Sequence, residues 1–125
     1  MNIPDNLFYT SDHEWVKIDN DIATVGITDY AQNELGDIIF IEFPNIGYNC
    51  NSGDSMGTIE AVKTVADLFS PIKGTVLESN TNLENNPHFI NEDPYDSGWI
   101  IKLKIFSSDD SKLLSYKEYL KLINL

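Results

Sequence analysis

Lys63 is the residue whose surroundings best suit covalent chemistry. It lies in GDSMGTIEAVKTVADLFSPIKGTVLESN, residues 53–80, between two runs of strand-like composition. Met56, Thr58, Ile59 and Val62 precede it, and Val65, Leu68 and Phe69 follow; such side chains favour extended backbone. A lysine at the junction of two strands sits at a hairpin tip, with its amine pushed into water. That arrangement lets a modifying enzyme acylate the amine and hang a swinging arm on it. An exposed lysine amine is protonated at neutral pH, so its attack on an acyl group needs a separate enzyme. The pattern therefore predicts an attachment site and not an active centre. A solvated strand-end lysine is the plain rival, and Lys73, beside the turn from Pro71 to Gly74, is one. Gly74 is expected to supply there a backbone angle that glycine takes freely.

The elements that must hold this tip follow from the turn residues. Short strand-like runs fall at 14–18, 22–27, 38–42, 55–61, 65–69, 74–79 and 99–105, separated by Gly, Pro, Asn and Asp. Asn20 and Asp21 make a tight hairpin between the first two, and 44–53 is an Asn- and Gly-rich loop that includes Cys50. Thr28 is placed to cap a helix over 29–35, with Asp29 at its positive end and Gly36 at its stop. A second helical turn is expected within 83–90, which holds Pro87. Asp110 or Ser111 is expected to cap a last helix, about 111–123, with Leu113, Tyr116, Leu120 and Ile123 on one face. No Gly/Ser-rich linker divides the chain, so residues 1–125 read as one domain. Periodicity alone predicts a small, mostly β barrel or sandwich with short helices.

Four blocks sharpen this reading. Ile59-Glu60-Ala61-Val62-Lys63, then Asp67-Leu68 and Ser70-Pro71-Ile72-Lys73-Gly74, resembles the lipoyl-lysine segment of the glycine cleavage system H protein family. Tyr9-Thr10-Ser11-Asp12-His13-Glu14-Trp15-Val16 resembles the family's opening strand. Its second block is similar to Ala23-Thr24-Val25-Gly26-Ile27-Thr28-Asp29-Tyr30-Ala31-Gln32 with Leu35-Gly36-Asp37-Ile38. Asn91, Asp93-Pro94-Tyr95 and Gly98-Trp99-Ile100 resemble its C-terminal block. The blocks keep family order across nearly the whole chain.

The resemblance implies a flattened barrel-sandwich of the biotinyl/lipoyl hybrid type, with lipoate joined covalently to Lys63 and no catalysis by the carrier itself. Glu60 and Val62 would serve recognition by the lipoate ligase or octanoyltransferase. Biotin is disfavoured, because Val62 and Thr64 stand where biotin carriers have methionines. The arm would take an aminomethyl group from glycine decarboxylase, the P protein, and deliver it to the aminomethyltransferase, the T protein. Dihydrolipoyl dehydrogenase, the L protein, would then reoxidise it. Glu14 and Asp67 would lie near the loaded arm's cationic amine, with Asp12 or Ser11 at the rim of its cleft. Asp12 departs from the family's usual small hydroxyl residue. A lipoyl or octanoyl relay to 2-oxoacid dehydrogenases is the alternative within this class.

Charge and composition exclude other classes. The net charge is −12, the eight basic residues are all lysines, and there is no arginine. Nucleic-acid binding needs the opposite charge, and an anionic membrane surface would repel this chain. A single cysteine forms no internal disulfide, and no Cys/His cluster offers a metal site. The N-terminus lacks the marks of a signal or transit segment, which predicts a bacterial cytoplasmic protein, or else a mature one of the mitochondrial matrix. An enzyme built on His13 and Glu14, a small hydrolase with His13 as general base, is the rival from another class. Both residues are expected in a strand beside Trp15, where a structural histidine is the commoner outcome.

Overall fold

The computed structural model describes residues 1–106 and 112–125, and in it the strand residues sort into two antiparallel sheets. The larger has the order β1-β2-β3-β9-β8-β5, from Phe8–Tyr9, Glu14–Asp19, Ile22–Ile27, Ile101–Ile105, Gly74–Ser79 and Asn49–Cys50 respectively. The smaller has the order β4-β6-β7, from Ile38–Glu42, Ser55–Ala61 and Val65–Phe69. Between them lies an aliphatic core that includes Val25, Ile59, Leu68, Val76 and Leu103. The fold is the expected mostly β pair of sheets, and it is not a closed barrel. Among the described residues no helix is long and apolar enough to cross a membrane.

Local punctuation works as read at α1, Asp29–Leu35. The Thr28 hydroxyl accepts from the Ala31 N–H, and Gly36 ends the helix at φ +80°, donating its N–H to Gln32. The segment around Pro87 differs from the expected single turn. A 3₁₀ turn at Thr81–Glu84 and α2 at Phe89–Glu92 flank the proline instead, because its ring cannot sit inside a helix.

The C-terminal helix also needs correction. Asp110 and Ser111 lie outside the described residues, while α3 spans Tyr116–Leu122 and is capped by Ser115. Ser115 and Glu118 form a reciprocal capping box, satisfying one another's backbone N–H groups. Leu113 therefore precedes the helix, and Tyr119, absent from the expected stripe, is its fully buried residue. Tyr119 stacks on Tyr9, with ring centroids 4.6 Å apart, in a second cluster with Trp15 and Ile123.

Gly74 is needed for a reason other than its backbone angle. It lies in β8 opposite Ile105, outside the left-handed region, and a Cβ there would come 2.4 Å from the Lys104 carbonyl oxygen. Gly74→Val should therefore cost about 1–3 kcal/mol through overpacking. Lys63→Ala should stay within about 0.5 kcal/mol, as exposed positions do. Urea titrations of both variants check this, and equal losses would mean the tip lysine has packing that its exposure denies.

Candidate functional site

The hairpin of β6 and β7 turns through residues 62–64, and the Ala61 N–H closes the turn on the Thr64 carbonyl at 2.8 Å. The Val62 N–H donates to the Asp37 carbonyl at 3.1 Å, which pins the tip against the start of β4. Lys63 is exposed at this tip. Its Cε passes over the bare Cα of Gly36, where a Cβ would stand 3.4 Å away. The amine thus lies by the C-terminal end of α1, the negative end of the helix dipole. Asn91 braces that end: its Nδ2 donates to the Gly36 carbonyl and the Gln32 amide oxygen, and its Oδ1 accepts from the Ile38 N–H. Lys73 is exposed too, but it sits in the bend before β8.

Beside the hairpin, a cleft of about 310 Å³ opens between α1, β7 and the turn that precedes β2. Ile27, Ala31, Leu35, Ile59 and Ala66 give it an apolar floor, and Asp12, Glu14, Glu34 and Asp67 supply carboxylates. Three of the sequence candidates, Glu14, Asp67 and Asp12, meet here; Ser11 is exposed and does not line the cleft. Asp67 is exposed, with the Ser55 hydroxyl 3.4 Å away. Glu60 lies half-buried on β6, and Val62 is exposed at the tip.

Glu14 is the unusual group. It is 2% exposed, accepts from the Thr10 hydroxyl and, at 3.4 Å, from the Phe69 N–H. Burial pushes its carboxyl up to about 7, against the opposing pull of the Thr10 bond. Thr10, itself buried, also accepts from the backbone N–H groups of Asp12 and Glu14, so one hydroxyl orders the whole turn.

The segment read as one opening strand is instead a hairpin. Tyr9 ends β1, residues 10–13 turn, and β2 starts at Glu14. His13 is therefore not in a strand; it has φ +69°. Its Nδ1 lies 2.9 Å from the Tyr119 hydroxyl, which lies 2.8 Å from the Thr28 hydroxyl. Burial lowers the His13 pKa against the raising effect of Asp12 and Glu34, which favours the neutral ring beside Tyr119. His13 and Glu14 both line the cleft but hydrogen-bond to different partners, His13 to Tyr119 and Glu14 to Thr10 and Phe69. Cys50 is likewise not a loop thiol. It is buried in β5, with Sγ 3.3 Å from both Ser70 Oγ and the Gly74 carbonyl.

Sequence reasoning gives no role to Thr10, reads Gly36 as a helix stop and not as a neighbour of Lys63, and does not find the cleft-facing side of α1, where Tyr30, Ala31, Glu34 and Leu35 meet the cavity. The i, i+4 pairs Tyr30/Glu34 and Ala31/Leu35 share neighbouring rows of a helix, but nothing local says what that face meets.

Comparison with known proteins gives one answer. The family model described as glycine cleavage H-protein matches residues 7–124. The chain is 49% identical over 125 residues to the glycine cleavage system H protein of Bacteroides thetaiotaomicron, covering 99% of both chains. It is 50% identical over 126 residues to that of Staphylococcus epidermidis, covering 98% of both. The crystal structure of a glycine cleavage system H protein from Mycobacterium marinum superposes with a TM-score of 0.92 at 36% identity, over 98% of this chain and 100% of that one.

Proposed function

Since the chain belongs to the glycine cleavage H-protein family, we propose that it serves the glycine cleavage system as a non-catalytic carrier with lipoate in amide linkage to Lys63. The observation that carries this reading is the pairing of an exposed tip lysine, whose side chain passes Gly36 at the end of α1, with a carboxylate-bearing cleft lined by that same helix. The residues present fit a lipoyl arm. The Lys63 side chain passes beside Gly36, and the cleft offers an apolar floor to a hydrocarbon chain and acids to a cation.

Attached at Lys63, the arm would supply a disulfide/dithiol couple: its disulfide could accept an aminomethyl group from glycine decarboxylase with the S–S bond giving way to a second thiol, and the dithiol left after transfer to the aminomethyltransferase would be the substrate for reoxidation by dihydrolipoyl dehydrogenase. Glu14, with Asp67 and Asp12 at the mouth, holds the cationic amine of the loaded group and orients it. The apolar floor from α1 and β6 excludes the water that would release formaldehyde and ammonia. Tethering raises the effective concentration of the carried group at each partner's site. The Lys63 tip also answers to the lipoate ligase or octanoyltransferase, which reads Glu60 and Val62.

Mass spectrometry tests this reading. Co-expression with a lipoate ligase should add one lipoyl group, mapped to Lys63 and retained in Lys73→Arg. An unmodified chain, or a group on another lysine, would sink the attachment site.

A further inference from the structure

The outer face of the three-stranded sheet carries apolar side chains that the core does not use. Between Ile38, which pairs with Ala61, and Phe40, which pairs with Glu60, the register slips by one residue of β4. Such a bulge leaves the inserted residue unpaired and re-aims its neighbours. Its effect here is that two consecutive apolar residues face solvent, Ile39 at 50% and Phe40 at 53% exposure. Phe40, Glu60 and Val65 are successive cross-strand partners over β4, β6 and β7, so their side chains share one face. Val65 is 61% exposed and Val62 72%. The bond from Val62 to Asp37 holds the tip beside the start of β4. Four exposed apolar side chains therefore surround Glu60 at the root of Lys63, where scattered single ones would need no explanation.

We propose that this face docks the enzyme that acylates Lys63, with Phe40 as the anchor in an apolar recess rimmed by basic side chains. The inference rests on the carrier reading above and deepens it. Geometry selects this partner over the others. Before attachment the reacting nitrogen is only a lysine's length from the tip, so the donor's site must close on the hairpin and on whatever flanks it. Later partners meet a group held out on a long arm. Charge selects the rim, because Glu60 at the centre and the net charge of −12 call for cations opposite. In the step itself, the deprotonated Nζ attacks the acyl carbon of an activated lipoyl donor, an acyl nucleotide in the ligase reaction. The C–N bond forms as the bond from acyl carbon to phosphate oxygen breaks; the nucleotide leaves and the nitrogen loses a proton.

The test measures acylation rates with a purified bacterial lipoate–protein ligase, lipoate and ATP, varying carrier concentration. Phe40→Ser should raise the KM for the carrier about tenfold or more, as loss of an interface anchor does, with kcat little changed. Phe40→Lys, which adds repulsion from a basic rim, should do at least as much and gives an independent variant. Ile46→Ser, equally apolar and 62% exposed beyond the far end of β4, should leave KM unchanged. Added salt should raise the parent's KM more than that of Glu60→Gln. Variants lipoylated to completion should remain as good substrates of glycine decarboxylase as the parent. A parent-like KM in both Phe40 variants overturns the docking face, and an equal loss with the decarboxylase overturns the assignment to the acylating enzyme. If the parent is not acylated at Lys63 at all, it is the carrier reading that fails.

Discussion

Lys63→Arg should abolish glycine-driven carbon transfer and leave the fold untouched. Arginine keeps the positive charge and the long stem, but its guanidinium stays protonated in proteins and offers no nucleophilic amine to an acyl donor. The position has little packing to disturb, since Lys63 is exposed. A reconstituted assay of glycine decarboxylation with labelled bicarbonate exchange should therefore fall to background, and intact mass should show no lipoyl group. Thermal unfolding should shift by no more than a few degrees, as for surface substitutions of about 0.5 kcal/mol. Lys73→Arg should keep full activity. Exchange that survives in Lys63→Arg would place the working group elsewhere on the chain.

How much of this was legible depends on how local each cause is. The hairpin bearing Lys63 and the helix capped by Thr28 are determined within about ten residues, and both were readable. Strands β6, β7 and β8 begin and end where the turn residues placed them. The two-residue strands β1 and β5 were not readable, because their pairing is decided by β2 and by β8 across the sheet. The Ser115–Glu118 capping box is written in the sequence as Ser-x-x-Glu, but Asp110 and Ser111 offer caps of the same chemistry a turn earlier, and local sequence does not choose between them. The hub of His13, Tyr119 and Thr28 had no local trace, since its members lie 106 and 91 residues apart. Glu14 is a candidate for the arm's cleft through family resemblance alone. What the sequence could not convey is its burial, which depends on the Thr10 turn folding against β7.

That burial makes Glu14→Gln the more searching experiment. Glu14 accepts two hydrogen bonds and has no cation among its hydrogen-bonding partners, so the cost of burying its charge is only partly offset. Its carboxyl titrates at about 7 in the folded protein, raised by burial from an ordinary 4.5. The folded state thus binds the proton more tightly than the unfolded one, and stability falls as pH rises between these values. At about 1.4 kcal/mol per unit, the loss is about 3 kcal/mol, complete above pH 7 and absent below pH 4.5. Glutamine keeps one acceptor oxygen, which serves Thr10 in place of Oε1, gives up the long 3.4 Å bond that Oε2 accepts from the Phe69 N–H, and never ionises. The stability difference between variant and parent should therefore move in the variant's favour by about 3 kcal/mol from pH 4.5 to 8. Urea titrations at several pH values measure it, and taking the difference cancels every group the two proteins share. The same substitution should weaken the carrier. A cationic amine in the cleft draws Glu14 into its ionised form, and at a shielded site that attraction is worth a few kcal/mol at most. Fully lipoylated and loaded Glu14→Gln should release formaldehyde about tenfold faster than the parent. A protein that gains stability and loses its grip on the carried group identifies Glu14 as a carboxylate kept for function at the expense of the fold. A flat difference across pH would mean that Glu14 is ionised and solvated at neutral pH; equal release rates would remove it from the cleft's chemistry.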